Sequence, residues 1–528
     1  MNDFTELIYD PSKPGAWGVT RHLQFYNYLK NHIAQQVKVY LPSLPIYVIE
    51  ECLSDIFCSE ENDDDLLEND DGYLEGELGI DSDLYRSVFE VRDVLEGQEV
   101  LLENITFPPQ KTGNDPDYNK LFEPLTCLVF KDCSFYCNNI SFYYPQNDIY
   151  FEGCSFHKHF YTDFNFSLVL EGALFKSCNF QQGITLKGIP FEGGAVFESC
   201  TISLLKIENT KLSVAVFGKA GYYSPSTADE VYIYNSTLEE DFILNLANLS
   251  KIQFVDSTFK GKANLTACCI EDLQVTDTVF EKTFDLSASV VQRVNYTGVE
   301  FESFALYERA TFGNKNSLLN HDQFAEFERV SFHKTANFRD AVFYIPVDLR
   351  NTVFLQTPTF LGSIFKSEAK RQTDRETFRI IKQSFVAVSN QIEADRIYAL
   401  EMEAYRSELK RNNGDLWDVF LLNFNACISN HGQSYIRASC WLFVCMSLIA
   451  FVLANDQLEN QWIPTYISMP YWWLSMTQIL NGFALGFLPF SKLYEDREHL
   501  ALFIMLATFG LSGITWQLLV ALRRHSRK

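Results

Sequence analysis

The residue pairs that could hold a metal are Cys133-x3-Cys137, the Cys268-Cys269 doublet and His157-x-His159. A tetrahedral zinc site needs four thiolate or imidazole ligands, usually as two close pairs, and no Cys-x2-Cys with a second matching pair exists to close one. His157 and His159, two apart in an extended segment, share one face and are expected in solvent. Acid/base chemistry fares no better. Glu401 and Glu403 are two apart on a helix and face different directions, and Arg396 and Arg406 beside them suggest solvated ion pairs. Gly-x-Ser-x-Gly, a Gly-rich phosphate loop with Lys and His-Glu-x-x-His are all missing. The expectation is a non-enzymatic chain with no cofactor and no bound metal.

Thr477, Gln478 and Asn481 are the polar residues of segment 470–490 (PYWWLSMTQILNGFALGFLPF), which is apolar enough to enter a bilayer; Trp472 and Trp473 suit an interfacial belt. Their chemistry would be ion or water contact in a pore, because irregular backbone at membrane depth survives only where it is buried in protein or lines water. Such residues need flanking spans. Segment 435–454 carries one charge, Arg437, near its start, and 500–522 carries none across 23 residues, so both are long enough to cross. Lys410, Arg411 and Arg437 precede the first; Arg523, Arg524, Arg527 and Lys528 follow the second; 455–469 holds only Asp456 and Glu459. Both basic flanks are then cytoplasmic, which calls for an even number of crossings and makes 470–490 a re-entrant segment with a break at Asn481-Gly482. The layout is similar to that of two-helix, one-pore-loop cation channels. It lacks the Thr-Val-Gly-Tyr-Gly filter of potassium channels, Leu480-Asn481-Gly482-Phe483-Ala484 standing in its place. An interfacial helix or a third crossing are the other readings.

The bulk of the chain must position these elements, and it is periodic. At 528 residues it exceeds the size at which one core keeps growing, and its 46 Phe and 26 Tyr recur at short intervals. Between about Leu102 and Phe365 large apolar residues step by five, as at Phe254, Phe259, Leu265, Ile270, Val275 and Phe280, and at Phe327, Phe332, Phe338, Phe343, Leu349 and Phe354. A strand alternates with period two and a helix with period 3.6, so this step fits a chain that turns a corner every five residues. Two positions before the large residue sits a small one: Cys133, Cys154, Cys178, Cys200, Ser257, Cys268, Thr278, Ala336, Ala341 and Thr352.

Ala263-Asn264-Leu265-Thr266-Ala267 and Ala336-Asn337-Phe338-Arg339-Asp340 match a small residue, Asn, a large apolar residue and two variable positions. The pattern resembles the pentapeptide-repeat family over about half the chain. That resemblance implies a right-handed quadrilateral β-helix over 98–366 with Phe254, Phe259, Leu265, Ile270, Phe280, Phe332, Phe338, Phe343 and Phe354 in its core. Insertions such as 221–230 should protrude as loops.

Residues 1–97 read as a mixed helical cap, with Pro42 and Pro45 between two helical stretches and an acidic loop, 59–83, expected to be disordered. Between Glu60 and Asp83 there are twelve acidic residues and no Lys or Arg. Beyond the solenoid, 367–413 reads as a cytosolic helical hairpin. Residues 415–431 read as an amphipathic helix capped by Asp415, with Trp417, Phe420, Leu421, Phe424 and Ile428 on one face, suited to the hairpin or to the bilayer interface. No apolar signal opens the chain, and thirteen scattered cysteines fit reduced thiols. The net charge of −25 speaks against nucleic acid and against nonspecific binding to anionic lipid.

These features lead to an expected bacterial, multi-pass inner-membrane protein with its N-terminus and solenoid in the cytoplasm. The solenoid docks or senses an unknown protein partner, and the C-terminal helices insert in the lipid bilayer, forming an ion-permeable homo-oligomer in stress or phage defence, or serving as an inert anchor. Some pentapeptide-repeat solenoids mimic duplex DNA and inhibit topoisomerases, which gives a third reading.

Overall fold

The computed structural model describes residues 19–58, 82–109, 122, 125–138, 148–162, 168–169, 172–187, 191–218, 226–314, 324–411, 415–457 and 501–526. The chain divides into two compact units, 1–345 with 351–358 and 362–364, and 346–350 with 359–361 and 365–528.

The first unit opens with α1 (Val19–Tyr40), α2 (Ile46–Cys58) and α3 (Ser82–Gly97). In α1, Phe25, Leu29, Ile33 and Val37 recur every four residues, which places them on one helical stripe, and all are buried. Pro45 sets the start of α2, its carbonyl accepting from the amides of Val48 and Ile49. The first helix also closes the open end of the strand stack. The Leu101 amide donates to Gln36 Oε1 at 2.9 Å, Gln36 Nε2 donates back to the Leu101 carbonyl, and the Phe25 ring meets Phe107 edge-on at 5.7 Å. A primary amide presents a donor and an acceptor side by side, so Gln36 stands in for the strand that is missing there.

After α3 the chain forms short parallel strands in sheets of 6, 16, 9 and 5 members, a β-solenoid of about nine turns. Its most regular part aligns Asn248–Val255 with Cys269–Thr276 and Val290–Thr297, so that Cys268 and Ser289, 21 residues apart, sit one above the other. Leu249 and Phe254 from the first of these strands, and Phe259 and Leu265 after it, are buried in one coil, and Ile270, paired with Leu249, begins the next. Of the core positions read from sequence, Phe254, Phe259, Leu265, Ile270, Phe280, Phe332, Phe338 and Phe343 are buried and Phe354 is half-buried.

The corners explain the small residues. Asp256 (φ 48°), Asp277 (φ 44°) and Gly298 (φ 67°) are left-handed, and each precedes an inward Ser257, Thr278 or Val299. Asp tolerates this region better than most side chains, because its short carboxylate can bond locally. A Cβ at Gly298 would lie 2.1 Å from Asp277 Oδ1 of the adjacent coil, so that carboxylate would have to turn aside. On another corner the thiols of Cys133, Cys154, Cys178 and Cys200 donate to the carbonyls of Leu102, Phe130, Phe151 and Phe175 of the preceding coils, at 3.2 to 3.3 Å. Burial pushes the Cys268 thiol up to about 11 and the Cys137 thiol up to about 12, so both stay protonated and unreactive.

Stacked coils bring identical side chains into columns. Phe259, Phe280, Phe301, Phe332 and Phe354 stack face to face at 4.9, 5.1, 4.8 and 5.1 Å. Phe107, Phe135, Phe156 and Phe180 do the same at 4.7, 4.7 and 4.5 Å. These spacings match the roughly 4.8 Å between hydrogen-bonded strands. On the outer face of the long strands, Glu230, Lys251, Asp272 and Arg293 occupy one register column with alternating sign, and Arg293 pairs with Asp272 at 3.5 Å. That face neutralises itself.

His157 and His159 depart from their solvent-exposed reading. Both are half-buried: His157 stacks on Tyr136 at 4.1 Å and bonds Gln181 Oε1 at 3.1 Å, while His159 bonds the Gln182 carbonyl at 2.9 Å and Thr185 Oγ1 at 2.8 Å. Adjacent coils supply these partners, which a single coil's sequence does not show.

In the second unit, α4 (Ser367–Gln372) leads into α5 (Arg375–Ala387) and α6 (Gln391–Arg411), an antiparallel pair sealed by Phe378, Ile381, Phe385, Ala394, Ile397 and Ala404. Thr373 and Thr377 accept at their hydroxyls from the backbone amides of Val347 and Leu349, at 3.1 and 3.0 Å. Glu401, read as solvated, is instead 4% exposed and pairs with Lys382 across the hairpin at 2.5 Å. The pair follows from the fold: only a basic group from the facing helix reaches a carboxylate on the buried stripe. The unit ends in α7 (Leu416–Ser429), α8 (Tyr435–Gln457) and α9 (Ala501–His525).

Replacing Phe301 by Ala, in mid-column, removes two stacking partners and should destabilise the first unit by about 3–5 kcal/mol in urea unfolding. Gln36→Leu should leave the core intact but speed amide exchange at Leu101, since only the end strand loses its cap.

Candidate functional site

Three apolar helices meet the hairpin at one place in the second unit. Asp415 caps α7, accepting from the Trp417 amide at 3.0 Å. Leu416, Trp417, Phe420 and Leu421 are exposed, Trp417 to 73%, whereas Ile428 at the far end is buried against Ala438 of α8 and Ile514 of α9. The aromatic stripe is thus turned away from the hairpin. Among the described residues one helical stretch, Met505–His525, is long and apolar enough to cross a membrane; the described apolar part of α8, Tyr435–Ala450, falls short of that length.

The basic end of α9 is held by the hairpin. Arg524 pairs through Nε with Asp395 at 3.5 Å, its guanidinium lies 4.9 Å from the Tyr398 ring centre, and its Nη1 donates to the His431 carbonyl. Gln433 Nε2 donates to the Asp395 carbonyl at 2.5 Å. One α6 residue therefore receives both the end of α9 and the entry to α8. A planar guanidinium suits this role because it can pair in its plane while stacking on an aromatic face. Below it, Ser429 Oγ donates to Gln517 Oε1 at 2.9 Å and accepts from the Gly432 amide at 2.8 Å.

The turn that makes this contact is strained. Asn430 (φ 50°), His431 (φ 56°) and Gly432 (φ 82°) are left-handed in succession. Asn and Gly take that conformation readily, and His enters it more often than most side chains, at a cost of about 1 kcal/mol. A Cβ at Gly432 would lie 2.7 Å from Arg524 Nη1. His431 is 4% exposed and, among the described residues, neither ring nitrogen has a hydrogen-bond partner. Burial holds its imidazole below the usual range; Arg406 and Arg524 push the same way and Glu403 opposes them. Strain, an unpartnered buried ring and a shifted titration coincide at one residue.

Arg437 and Arg523, read as orientation signals, are exposed on the first turn of α8 and the last turn of α9; Arg524 is the member of that set drawn into the clasp. Arg527, Lys528 and the pore-like set Trp472, Trp473, Thr477, Gln478, Asn481 and Gly482 lie outside the described residues. Asp395, Tyr398, Gln433 and His431 were missed by sequence reasoning. Asn430-His431-Gly432 between two apolar runs is a visible turn signal, but nothing in the sequence pairs it with Asp395. Among the described residues no group of three or more His, Cys, Asp or Glu side chains converges as metal ligands would. The chain matches no protein-family model, no curated protein and no solved structure.

His431 titrates at a lower pH folded than unfolded, so the unfolded chain takes up the proton first and stability falls as pH drops below the ordinary imidazole value of about 6.5. Between pH ~7.5 and ~5.5 the thermal midpoint of the detergent-solubilised chain should fall, and His431→Gln should flatten that part of the profile while values above pH ~7 change little.

Proposed function

We propose that this chain is a non-enzymatic, membrane-anchored docking protein. Its solenoid, of the right-handed pentapeptide-repeat type, engages a protein partner in the bacterial cytoplasm, and its C-terminal helices insert in the inner membrane in more than one pass. The clasp at Arg524 carries this reading. A helix with the length and composition of a membrane span ends in a guanidinium spent on the hairpin rather than on water, so the hairpin is mounted on the span. The exposed aromatic stripe of α7 supports the same reading, because Trp and Phe beside a span favour the bilayer interface. A docking solenoid also fits the self-neutralised strand face.

The proposed assembly is a homo-oligomer, and whether it conducts ions is decided by experiment. Bacteria expressing the full chain should retain it in the inner-membrane fraction after carbonate wash; release into the soluble fraction would overturn the anchor. A voltage-sensitive dye then separates the two roles of the helices. Depolarisation that disappears on deletion of 470–490 assigns a pore, and an unchanged membrane potential with the protein in place assigns an anchor.

A further inference from the structure

We infer that the basic end of the α8–α9 pair binds the headgroups of anionic phospholipids, an inference that rests on the membrane-anchored reading. Ahead of its basic end, Arg523 to His525, α9 runs from Ala501 to Leu522. At 1.5 Å per residue those 22 residues are about 33 Å, enough for a bilayer's hydrocarbon core, which leaves the last turn of α9 at phosphate level. The start of α8 lies at the same level, because the Tyr435 and His525 rings approach to 4.6 Å. Arg437 and Arg523 are therefore carried to one depth, and both are exposed.

Their charge is surplus. Among the described residues neither guanidinium has a carboxylate partner, and four carboxylates of the neighbouring hairpin are already occupied. Asp395 pairs with Arg524, Glu393 with Arg396, Glu403 with Arg406 and Glu401 with Lys382. The first turn of α8, capped by Ser434 through the Arg437 amide at 3.3 Å, adds the positive end of a helix dipole beside Arg437. In a chain of net charge −25, the collar at the membrane surface is thus locally cationic. Guanidinium groups pair with phosphate in two-pronged geometry, and each one near an anionic surface strengthens binding about fivefold. Headgroups such as phosphatidylglycerol, with one net negative charge, complement the collar; zwitterionic phosphatidylcholine does not.

The test uses the full chain reconstituted in vesicles containing brominated phosphatidylglycerol or brominated phosphatidylcholine, with tryptophan quenching reporting which lipid lies against the helices. The expected result is a preference for phosphatidylglycerol that weakens in 1 M salt, persists in the Arg437→Lys/Arg523→Lys variant and disappears in the Arg437→Gln/Arg523→Gln variant. The wild-type chain showing no preference, or the Gln variant keeping it, would overturn the inference. Displacement of the lipid preference by inorganic phosphate at constant ionic strength would also overturn it, by assigning the site to the free anion. Failure of the anchor looks different: neither lipid quenches, whatever the variant.

Discussion

The hydrogen-bonded spacing between parallel strands is the constraint on which the rest of this molecule depends. Once backbone amides and carbonyls of successive coils are paired, every equivalent position recurs at roughly 4.8 Å along the column. A flat aromatic ring fills that interval almost without gap, which is why Phe259, Phe280, Phe301 and Phe332 lie face to face. At Gly298, left-handed like Asp256 and Asp277 in the same column, the same spacing would bring a Cβ to 2.1 Å from the Asp277 carboxylate, which would have to turn aside. Outward-facing charges obey it too, alternating in sign from Glu230 to Arg293 because like charges one interval apart would repel.

Backbone pairing that repeats without end must be stopped, and the chain stops it with side chains that imitate backbone. At the first coil the Gln36 amide offers Leu101 both halves of a strand's hydrogen bonding. In the C-terminal unit two threonine hydroxyls four residues apart, Thr373 and Thr377, take the amides of Val347 and Leu349. At the first coil a helix serves as the terminus because it has already satisfied its own backbone and so offers only side chains to a strand edge.

Much of the solenoid was legible in the sequence because its order is local. The large apolar residues from Phe254 to Leu265 fall within one coil, and the small residue before each large one lies near a corner of the same coil. What joins coils was less legible. His157 and His159 look solvent-facing within one segment, and their partners come from the next turn. Glu401 looks solvated beside Arg396, and its partner Lys382 comes from the facing helix. The clasp was least legible. Arg524 reads as one of a basic run, and only the fold shows that Asp395, Tyr398 and the His431 carbonyl have claimed it while Arg523 next to it remains exposed.

A ring in the middle of a Phe column meets neighbours just above and just below it, never beyond. Whatever a coil contributes, it therefore contributes to adjacent coils alone, and no residue in the interior registers how many coils the stack contains. Length becomes a quantity that gene duplication or deletion can adjust in whole coils, leaving each seam as it was. The loops inserted at corners are then free to diversify on a ruler whose graduations are fixed by hydrogen bonding.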